Sequence, residues 1–245
     1  MLIIKLTEFF RIFLTTILVY TFGYLLTIFL LLIGLTAAIL KLYSFFFSLT
    51  LVWSYGLFTL TCKKLYISGK TNMENNRPYL IVSNHSSFFD IVAIMAIQPN
   101  ISWVAREYLF NIPIFGYLIR KLGCIPVERK NFIRSGKQII FAGNCRIKNQ
   151  SIGIFPEGTR TLDGKPLKFK RGFIRIFRYF RMDILPVTLN GFFSLRPKNR
   201  FTIHPKKKLE IIIHKPITYS DYKHQSDEKI MNAVTQSVLK DYKGE

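Results

Sequence analysis

Two long apolar runs occupy the start of the chain. Residues 12–40 contain no charged side chain, and neither do residues 42–62. Each run is long enough to cross a bilayer core of about 30 Å. The first run is longer than the apolar core of a cleaved signal peptide and does not end in a small-residue cleavage site. The pattern predicts an N-terminal hydrophobic helical membrane anchor over residues 1–62. This anchor is either a hairpin of two helices or one spanning helix beside an interfacial one.

Beyond residue 62, short apolar runs alternate with polar turns, and predicted strands alternate with predicted helices. This alternation is typical of α/β domains. Strands are predicted at 79–83, 103–105, 124–127, 151–155 and 184–189. Helices are predicted at 90–97, 116–122, 132–146 and 173–180. Edge strands are predicted at 201–203 and 209–213, and a helix capped by Ser226 from about 227 to 242. The pattern therefore predicts one α/β domain over residues 63–245.

Positive charge is concentrated after the apolar runs. The chain has 35 Lys and Arg against 14 Asp and Glu, which gives a net charge of +21. Because positive charge favours the cytoplasmic side, the domain is predicted to lie on the cytoplasmic face of the cell (inner) membrane. Such a field attracts anionic lipids and phosphorylated molecules. No zinc-finger, helix-turn-helix or RNA-recognition signature is present, so membrane phospholipids are predicted as partners and nucleic acid is not.

A histidine and an aspartate follow the first predicted strand of the domain. His85 stands between strand 79–83 and helix 90–97, and Asp90 comes five residues later. On one continuous helix such residues point about 140° apart, so the pair can meet only if His85 lies in the turn. The imidazole can then take a proton from an alcohol while the carboxylate fixes the ring tautomer. His85 and Asp90 are therefore predicted to be catalytic. The spacing alone is common, and a second cluster adds to it.

The second cluster is a loop that follows another predicted buried strand, with the sequence Phe155-Pro156-Glu157-Gly158-Thr159-Arg160. An arginine in such a loop can hold a phosphate with two hydrogen bonds. A nucleotide-binding P-loop is the competing interpretation, since Gly153 and Gly158 have its spacing. The lysine that must follow the second glycine is replaced by Thr159, which excludes nucleotide hydrolysis of that type.

These clusters resemble two motifs of the 1-acyl-glycerol-3-phosphate acyltransferases and related glycerolipid acyltransferases. Asn84-His85 with Asp90 matches their Asn-His-x4-Asp block, and residues 155–160 match their Phe-Pro-Glu-Gly-Thr-Arg block. The chain also resembles the family's second motif, at residues 104–107, residues 112–116, Gly123 and Arg129. In that motif the family usually has lysine at the position of Arg106 and glutamate at that of Tyr108. Its fourth motif is similar to Ile184-Leu185-Pro186-Val187. The resemblance covers roughly residues 60–220 and implies a mixed, mostly parallel sheet wrapped by helices.

The resemblance implies that a lipid hydroxyl attacks an acyl thioester directly, with His85 as general base and Asp90 orienting it. The substrate-binding residues that it implies are Arg106, Arg129, Glu157, Gly158, Thr159 and Arg160. The implied acceptor is 1-acyl-glycerol-3-phosphate, and the implied product is phosphatidic acid. The acyl donor is acyl-CoA or acyl-carrier protein, and no resident cofactor is implied. The sequence has no Gly-x-Ser-x-Gly elbow, which agrees with a reaction that forms no covalent acyl-enzyme.

Two alternatives stay open. The same chemistry can act on another lysolipid or on an amino-acid lipid. A basic membrane adaptor without catalysis belongs to a different class, and it would bind nucleic acid or anionic lipid with a steep dependence on salt. The adaptor does not require His85 and Asp90 together.

Two further patterns lie in the C-terminal half. Residues 168–181 interleave bases and aromatics, with two helical stripes made of Arg171, Arg175 and Arg178, and of Phe173, Phe177 and Phe180. This pattern is typical of a surface helix with a core face or of an interfacial helix at anionic lipid. The histidines recur every ten residues without a cluster of other ligands, so no metal is predicted at His204, His214 and His224.

Overall fold

The structure is a computed structural model that describes residues 2–75, 77–127 and 149–244. The helix predicted at 132–146 and the site residue Arg129 lie outside the described residues. Within them, the chain forms an N-terminal helical hairpin followed by a mixed, mostly parallel sheet with helices on both faces. This architecture confirms the predicted fold class.

The hairpin consists of α1 (Leu2–Ile39) and α2 (Tyr43–Leu60). Both helices contain apolar segments long enough to cross a membrane, over Leu6–Ile39 and Tyr43–Leu60. The helices approach closely because small residues face large ones, and a Cβ atom at Gly34 would lie 2.8 Å from the ring of Phe46. The described residues thus form two packed antiparallel helices over the predicted anchor segment.

The sheet contains seven described strands. In chain order, β1 to β7 are Leu65–Ser68, Leu80–Ser83, Ile101–Arg106, Ile125–Val127, Ser151–Ile154, Ile184–Asn190 and Leu209–Ile213. Their order across the sheet is β1-β7-β6-β2-β5-β3-β4. Neighbouring strands are parallel except for β6 and β7, which are antiparallel. β2 and β6 lie in the middle and are buried along their whole length, as expected of strands covered on both faces.

Helices cover both faces of the sheet. The described helices after the hairpin, α3 to α8, are Phe89–Ile97, Phe115–Lys121, Gly172–Phe180, Phe192–Leu195, Tyr219–Tyr222 and Asp227–Leu239, with short 3-10 helices at Lys70–Asn72 and Glu107–Asn111. Successive side chains of a strand point to opposite faces. Ile81 therefore packs with α3 and the hairpin, whereas Leu80 and Val82 pack with α5 and α8.

The cap predicted for the last helix is confirmed, because Ser226 Oγ accepts the N–H of Lys229 at 3.2 Å.

The hairpin lies along the sheet domain. Near its open end, Val19, Leu57 and Phe58 share one core with sheet side chains such as Leu185 and Val187. Near its closed end, four hairpin side chains pack against the second 3-10 helix and α4, and these are Ala37, Ala38, Phe46 and Phe47. One side of the hairpin is therefore buried on the domain. The other side exposes large apolar residues, each more than half exposed, that include Phe9, Phe13, Phe22, Leu25, Phe29 and Leu32.

Two predictions about edge strands are wrong. Residues 201–203 form no strand, because they pack on α1: the N–H of Ile203 donates to Thr16 Oγ1 at 3.0 Å, and Phe201 stacks on Tyr20. Residues 209–213 do form β7, but this strand lies between β1 and β6 rather than at an edge. The edge strand on this side of the sheet is β1, which has four residues and follows the hairpin after a short connection.

The basic stripe of residues 168–181 lies on a surface helix. α5 buries Phe173, Ile174 and Phe177 against the sheet and α8. Arg178 points outward and pairs with Asp227 at 2.6 Å. Because α5 covers the sheet face opposite to the hairpin, its arginines are not continuous with the exposed apolar surface. The core face predicted for this helix is therefore confirmed.

Candidate active site

The sheet brings the two predicted motifs to one edge. β2 and β5 are parallel neighbours, so the segments that follow them leave the sheet side by side. The segment after β2 carries His85, and the segment after β5 carries Glu157 and Arg160. β3 runs parallel to β5 on its other side and ends at Arg106. Reactive side chains of α/β folds commonly stand at this carboxyl edge.

His85 and Asp90 are hydrogen-bonded to each other. His85 lies in the turn after β2 and Asp90 in the first turn of α3, which confirms their predicted placement. The imidazole Nδ1 is 2.9 Å from Oδ2 of Asp90. The same oxygen accepts the backbone N–H groups of Ser86 and Ser87, at 2.5 Å and 2.7 Å. In this arrangement Nδ1 donates to the carboxylate. No described residue hydrogen-bonds to Nε2, so this nitrogen can accept a proton from a substrate.

Two other side chains hold the catalytic turn in place. Asn84 pairs with the backbone of Leu189 in β6, where its Nδ2 donates to the carbonyl at 2.9 Å and its Oδ1 accepts the N–H at 2.8 Å. Phe155 stacks on the imidazole of His85, with 3.9 Å between the ring centroids and 11° between the planes. Trp103 in turn stacks on Phe155, with centroids 5.3 Å apart. The ring of His85 is therefore positioned by packing as well as by the carboxylate.

Glu157 joins the two motifs. Its Oε1 accepts the N–H of His85 at 2.7 Å, and its Oε2 accepts the N–H of Leu167 at 2.9 Å. The carbonyl of His85 accepts the N–H of Thr161 from the same loop at 3.1 Å. Burial raises the pKa of Glu157 to about 7, although the two backbone hydrogen bonds act to lower it. Both carboxylate oxygens are engaged by the backbone, which favours a positioning role over the predicted contact with the acceptor.

The raised pKa of Glu157 should make the stability of the protein depend on pH. The folded protein keeps a proton at this carboxyl up to about pH 7, whereas the unfolded chain releases it near 4.5. Between these values the folded state binds more protons, so this group lowers the free energy of unfolding as the pH rises. Glu157→Gln should reduce that decline, measured by urea unfolding of the detergent-solubilised protein from about pH 5 to about pH 8.

The matched control for this prediction is Glu228→Gln, on the exposed first turn of α8. It should leave the pH dependence of the free energy of unfolding unchanged. If the free energy of unfolding of Glu157→Gln declines with pH as steeply as that of the wild type, the pKa of Glu157 is not raised.

Three arginines lie near the His85–Asp90 pair. Arg160 is half-buried, and its pKa is lowered first by burial and then by repulsion from Arg196 and Arg106. Asp90 acts in the opposite direction on the same guanidinium. No described carboxylate forms an ion pair with any of the three arginines. Guanidinium groups without carboxylate partners are suited to bind phosphate.

The remaining predicted site residues lie in the loop after β5. The chain turns at Gly158, which has a φ of 72° and donates its N–H to the carbonyl of Phe155 at 3.0 Å. A Cβ atom at Gly158 would lie 3.0 Å from Nζ of Lys170. Thr159 follows and is half-buried. The structure thus brings Gly158 and Thr159 beside Glu157 and Arg160.

Sequence reasoning missed three residues that contribute to the site. Asn84 and Phe155 stand inside the motifs, and their presence there was the available signal. Arg196 follows the short helix α6 and belongs to none of the four motifs. It lies beside the catalytic turn because the loop between β6 and β7 folds onto Ser87.

The match to known proteins agrees with this fold. A family model described as Acyltransferase matches residues 64–190, which is more than half of the chain. The chain belongs to the acyltransferase family.

Individual relatives carry more specific names. The chain is 30% identical over 158 residues to the chloroplastic 1-acyl-sn-glycerol-3-phosphate acyltransferase LPAT1 of Arabidopsis thaliana, covering 63% of this chain and 44% of that protein. It is 26% identical over 178 residues to the 1-acyl-sn-glycerol-3-phosphate acyltransferase of Bacillus subtilis, covering 70% and 83%. The chain spans about half the length of the plant and algal relatives that it matches.

A solved structure extends the likeness over nearly the whole chain. The crystal structure of the 1-acyl-sn-glycerophosphate (LPA) acyltransferase PlsC from Thermotoga maritima superposes with a TM-score of 0.79 at 26% sequence identity. The superposition covers 95% of each chain, so it includes the hairpin as well as the sheet domain.

Proposed function

We propose that the protein transfers a fatty acyl group from an acyl thioester to the sn-2 hydroxyl of 1-acyl-glycerol-3-phosphate, which gives phosphatidic acid. The observation that carries this proposal is the hydrogen-bonded pair of His85 and Asp90 beside Arg160, at the ends of parallel strands. The names of the relatives in Arabidopsis, Bacillus and Thermotoga support the same acceptor. Acyl-CoA and acyl-carrier protein are both proposed as donors.

The proposed reaction is a direct displacement at the thioester. Nε2 of His85 takes the proton of the sn-2 hydroxyl while the hydroxyl oxygen bonds to the carbonyl carbon. The tetrahedral oxyanion then collapses, the C–S bond breaks, and the imidazolium returns the proton to the leaving thiolate. Asp90 stabilises the imidazolium through Nδ1, 2.9 Å away. Arg106, at the end of β3, is the proposed electrostatic partner of the oxyanion.

Arg160 is proposed to bind the phosphate of the acceptor. Arg160→Ala should raise the KM for 1-acyl-glycerol-3-phosphate about tenfold or more, because a hydrogen bond to a charged group contributes about 1.5–3 kcal/mol. Activity toward 1-monoacylglycerol, which has no phosphate, should change little. Arg171→Ala removes an exposed cation ahead of α5 and is the matched control, with wild-type KM expected. An equal loss with both acceptors would contradict phosphate binding by Arg160.

We also propose that the hairpin holds this site at the cytoplasmic face of the cell (inner) membrane. The exposed side of α1 carries large apolar residues along its length, which is favourable in contact with lipid. The cations Arg11, Lys63 and Lys64 stand near the open end of the hairpin, where they suit an anionic membrane surface. The buried side of the hairpin is packed on the domain, which supports a short distance between the proposed membrane surface and the catalytic turn.

The proposed function is tested by acyl transfer with the purified full-length protein in mixed micelles. Radiolabelled acyl-CoA and acyl-carrier protein are each incubated with 1-acyl-glycerol-3-phosphate, and the lipids are separated by thin-layer chromatography. Labelled phosphatidic acid is the expected product. Parallel reactions with 1-acyl-glycerophosphocholine and with a lyso-ornithine lipid test the other acceptor classes. If no acceptor is acylated by either donor, and nucleic acid binds with a steep salt dependence, the protein is a basic adaptor instead.

A further inference from the structure

A largely apolar cavity lies beside the catalytic turn. It has a volume of about 230 Å³ and is bounded by α1, α2 and the start of α3. Val19, Leu57 and Phe89 contribute apolar walls, and Phe88 connects the cavity to the turn that carries His85. Among the described residues that line the cavity, the charged one is Arg196. An apolar space with a guanidinium in its wall suits an amphiphile with an anionic head.

Arg196 is held in place from two sides. Its Nε donates to the hydroxyl of Tyr20 in α1 at 2.8 Å, and its guanidinium lies 5.9 Å from the centroid of the Tyr20 ring. Tyr20 is itself fixed, because its hydroxyl donates to the carbonyl of Phe201 at 2.8 Å and its ring stacks on that of Phe201 at 4.1 Å. The carbonyl of Arg196 accepts the hydroxyl of Ser87 at 2.7 Å, and the N–H of Ser87 donates to Asp90. Arg196 is therefore joined to α1 through its side chain and to the catalytic turn through its backbone.

The rest of the Arg196 guanidinium has no protein partner within the described residues. Neither Nη1 nor Nη2 of Arg196 hydrogen-bonds or pairs with a described residue. Arg196 lies close to Arg160, since its charge is the main electrostatic cause that lowers the pKa of Arg160, after burial. An anion that contacts both guanidinium groups removes this repulsion and supplies charge-assisted hydrogen bonds.

We propose that Arg196, aligned by Tyr20 of α1, is a further residue that binds the phosphate of the acceptor together with Arg160. The inference rests on the proposed function and adds to it a residue outside the four motifs. Helix α1 thereby contributes to substrate binding, because the side chain that aligns Arg196 belongs to this helix.

The phosphate of the acceptor fits the site between Arg160 and Arg196 better than the phosphates of the donor do. In 1-acyl-glycerol-3-phosphate a single carbon separates the phosphate ester oxygen from the carbon that carries the sn-2 hydroxyl, so a phosphate near His85 is within its reach. In acyl-CoA the phosphates stand at the far end of the pantetheine arm, remote from the thioester. The apolar cavity beside Arg196 suits the acyl chain of the same acceptor.

The test compares Arg196→Gln with Lys198→Gln, which removes an exposed cation from the same loop. With 1-acyl-glycerol-3-phosphate, Arg196→Gln should raise KM about tenfold or more while kcat changes little, because binding is lost in the ground state and the transition state alike. Inhibition by the 2-deoxy analogue of this acceptor, which has the phosphate but no reactive hydroxyl, should weaken by the same factor. Lys198→Gln should match the wild type in both measurements.

Two further variants make the result independent of folding defects. Tyr20→Phe keeps the ring and removes the hydroxyl that aligns Arg196, so it should raise KM by a smaller factor. Arg196→Lys keeps the charge and the stem, and should fall between the wild type and Arg196→Gln. An unchanged KM and unchanged inhibition in a folded Arg196 variant, or a loss of kcat alone, overturns the inference. A wild-type protein that forms no phosphatidic acid overturns the proposed function instead.

Discussion

Replacing His85 by alanine is expected to lower the rate of acyl transfer by about 10² to 10⁴, because a positioned general base contributes this much. The imidazole is held by Asp90 at 2.9 Å and by the ring of Phe155, and no described residue hydrogen-bonds to its Nε2. The loss should appear in kcat with phosphatidic acid formation as the readout. Association with vesicles of anionic phospholipid should be unchanged, since the exposed apolar surface of α1 is untouched.

The control for this prediction is His224→Ala. His224 is exposed in the turn before α8 and lies outside the predicted site, so the variant should keep the wild-type rate. A wild-type rate in His85→Ala would remove His85 from the mechanism.

Asp90→Asn is expected to reduce kcat by a similar factor and to lower the thermal stability as well. Three donors meet on one oxygen of this fully buried carboxylate, namely His85 Nδ1 and the N–H groups of Ser86 and Ser87. The neutral amide weakens these bonds, and each bond to a charged group contributes about 1.5–3 kcal/mol. It also leaves the imidazolium without a negative partner. Initial rates and a thermal melt of the same preparation measure both effects.

The matched control is Asp227→Asn, which breaks the exposed ion pair with Arg178. Exposed pairs contribute about 0–1 kcal/mol, so neither the rate nor the melting temperature should change much. If Asp90→Asn changes stability but leaves kcat intact, Asp90 has a structural role and does not support His85 in catalysis.

Local sequence patterns were sufficient to predict most helices and strands, but not which of them pair or pack with each other in space. The apolar runs predicted β5 and β6 to within a residue, because burial on both faces leaves a local signature. The partner of β1 lies far along the chain, with Leu65 opposite Leu209, and no local pattern encodes such a pairing. Residues 201–203 alternate like a strand because they pack against α1, and alternation does not reveal whether the neighbour is a sheet or a helix.

The site was predictable as far as its chemistry stands in contiguous motifs. His85 and Asp90 were placed correctly because the helical geometry allowed only one arrangement. Glu157 was assigned to the acceptor through the family resemblance, because its hydrogen bonds to the backbone of His85 and Leu167 leave no local signal in the sequence. Arg196 was missed for the same reason, since its proximity to the site depends on how the loop after β6 folds over α1.

The pairing of β1 with β7 has a consequence for synthesis in the cell. β1 joins the sheet through β7, and the hairpin shares its core with β6 and β7, which are translated near the end of the chain. The apolar hairpin therefore leaves the ribosome long before β6 and β7, which complete the surface that covers its inner side. In contact with lipid, the exposed apolar helices of the hairpin would not aggregate. The sheet domain closes late, because its closure depends on contacts between residues far apart in the chain. If the hairpin enters a membrane as proposed, its insertion precedes closure of the sheet domain and protects the apolar helices from aggregation in the meantime.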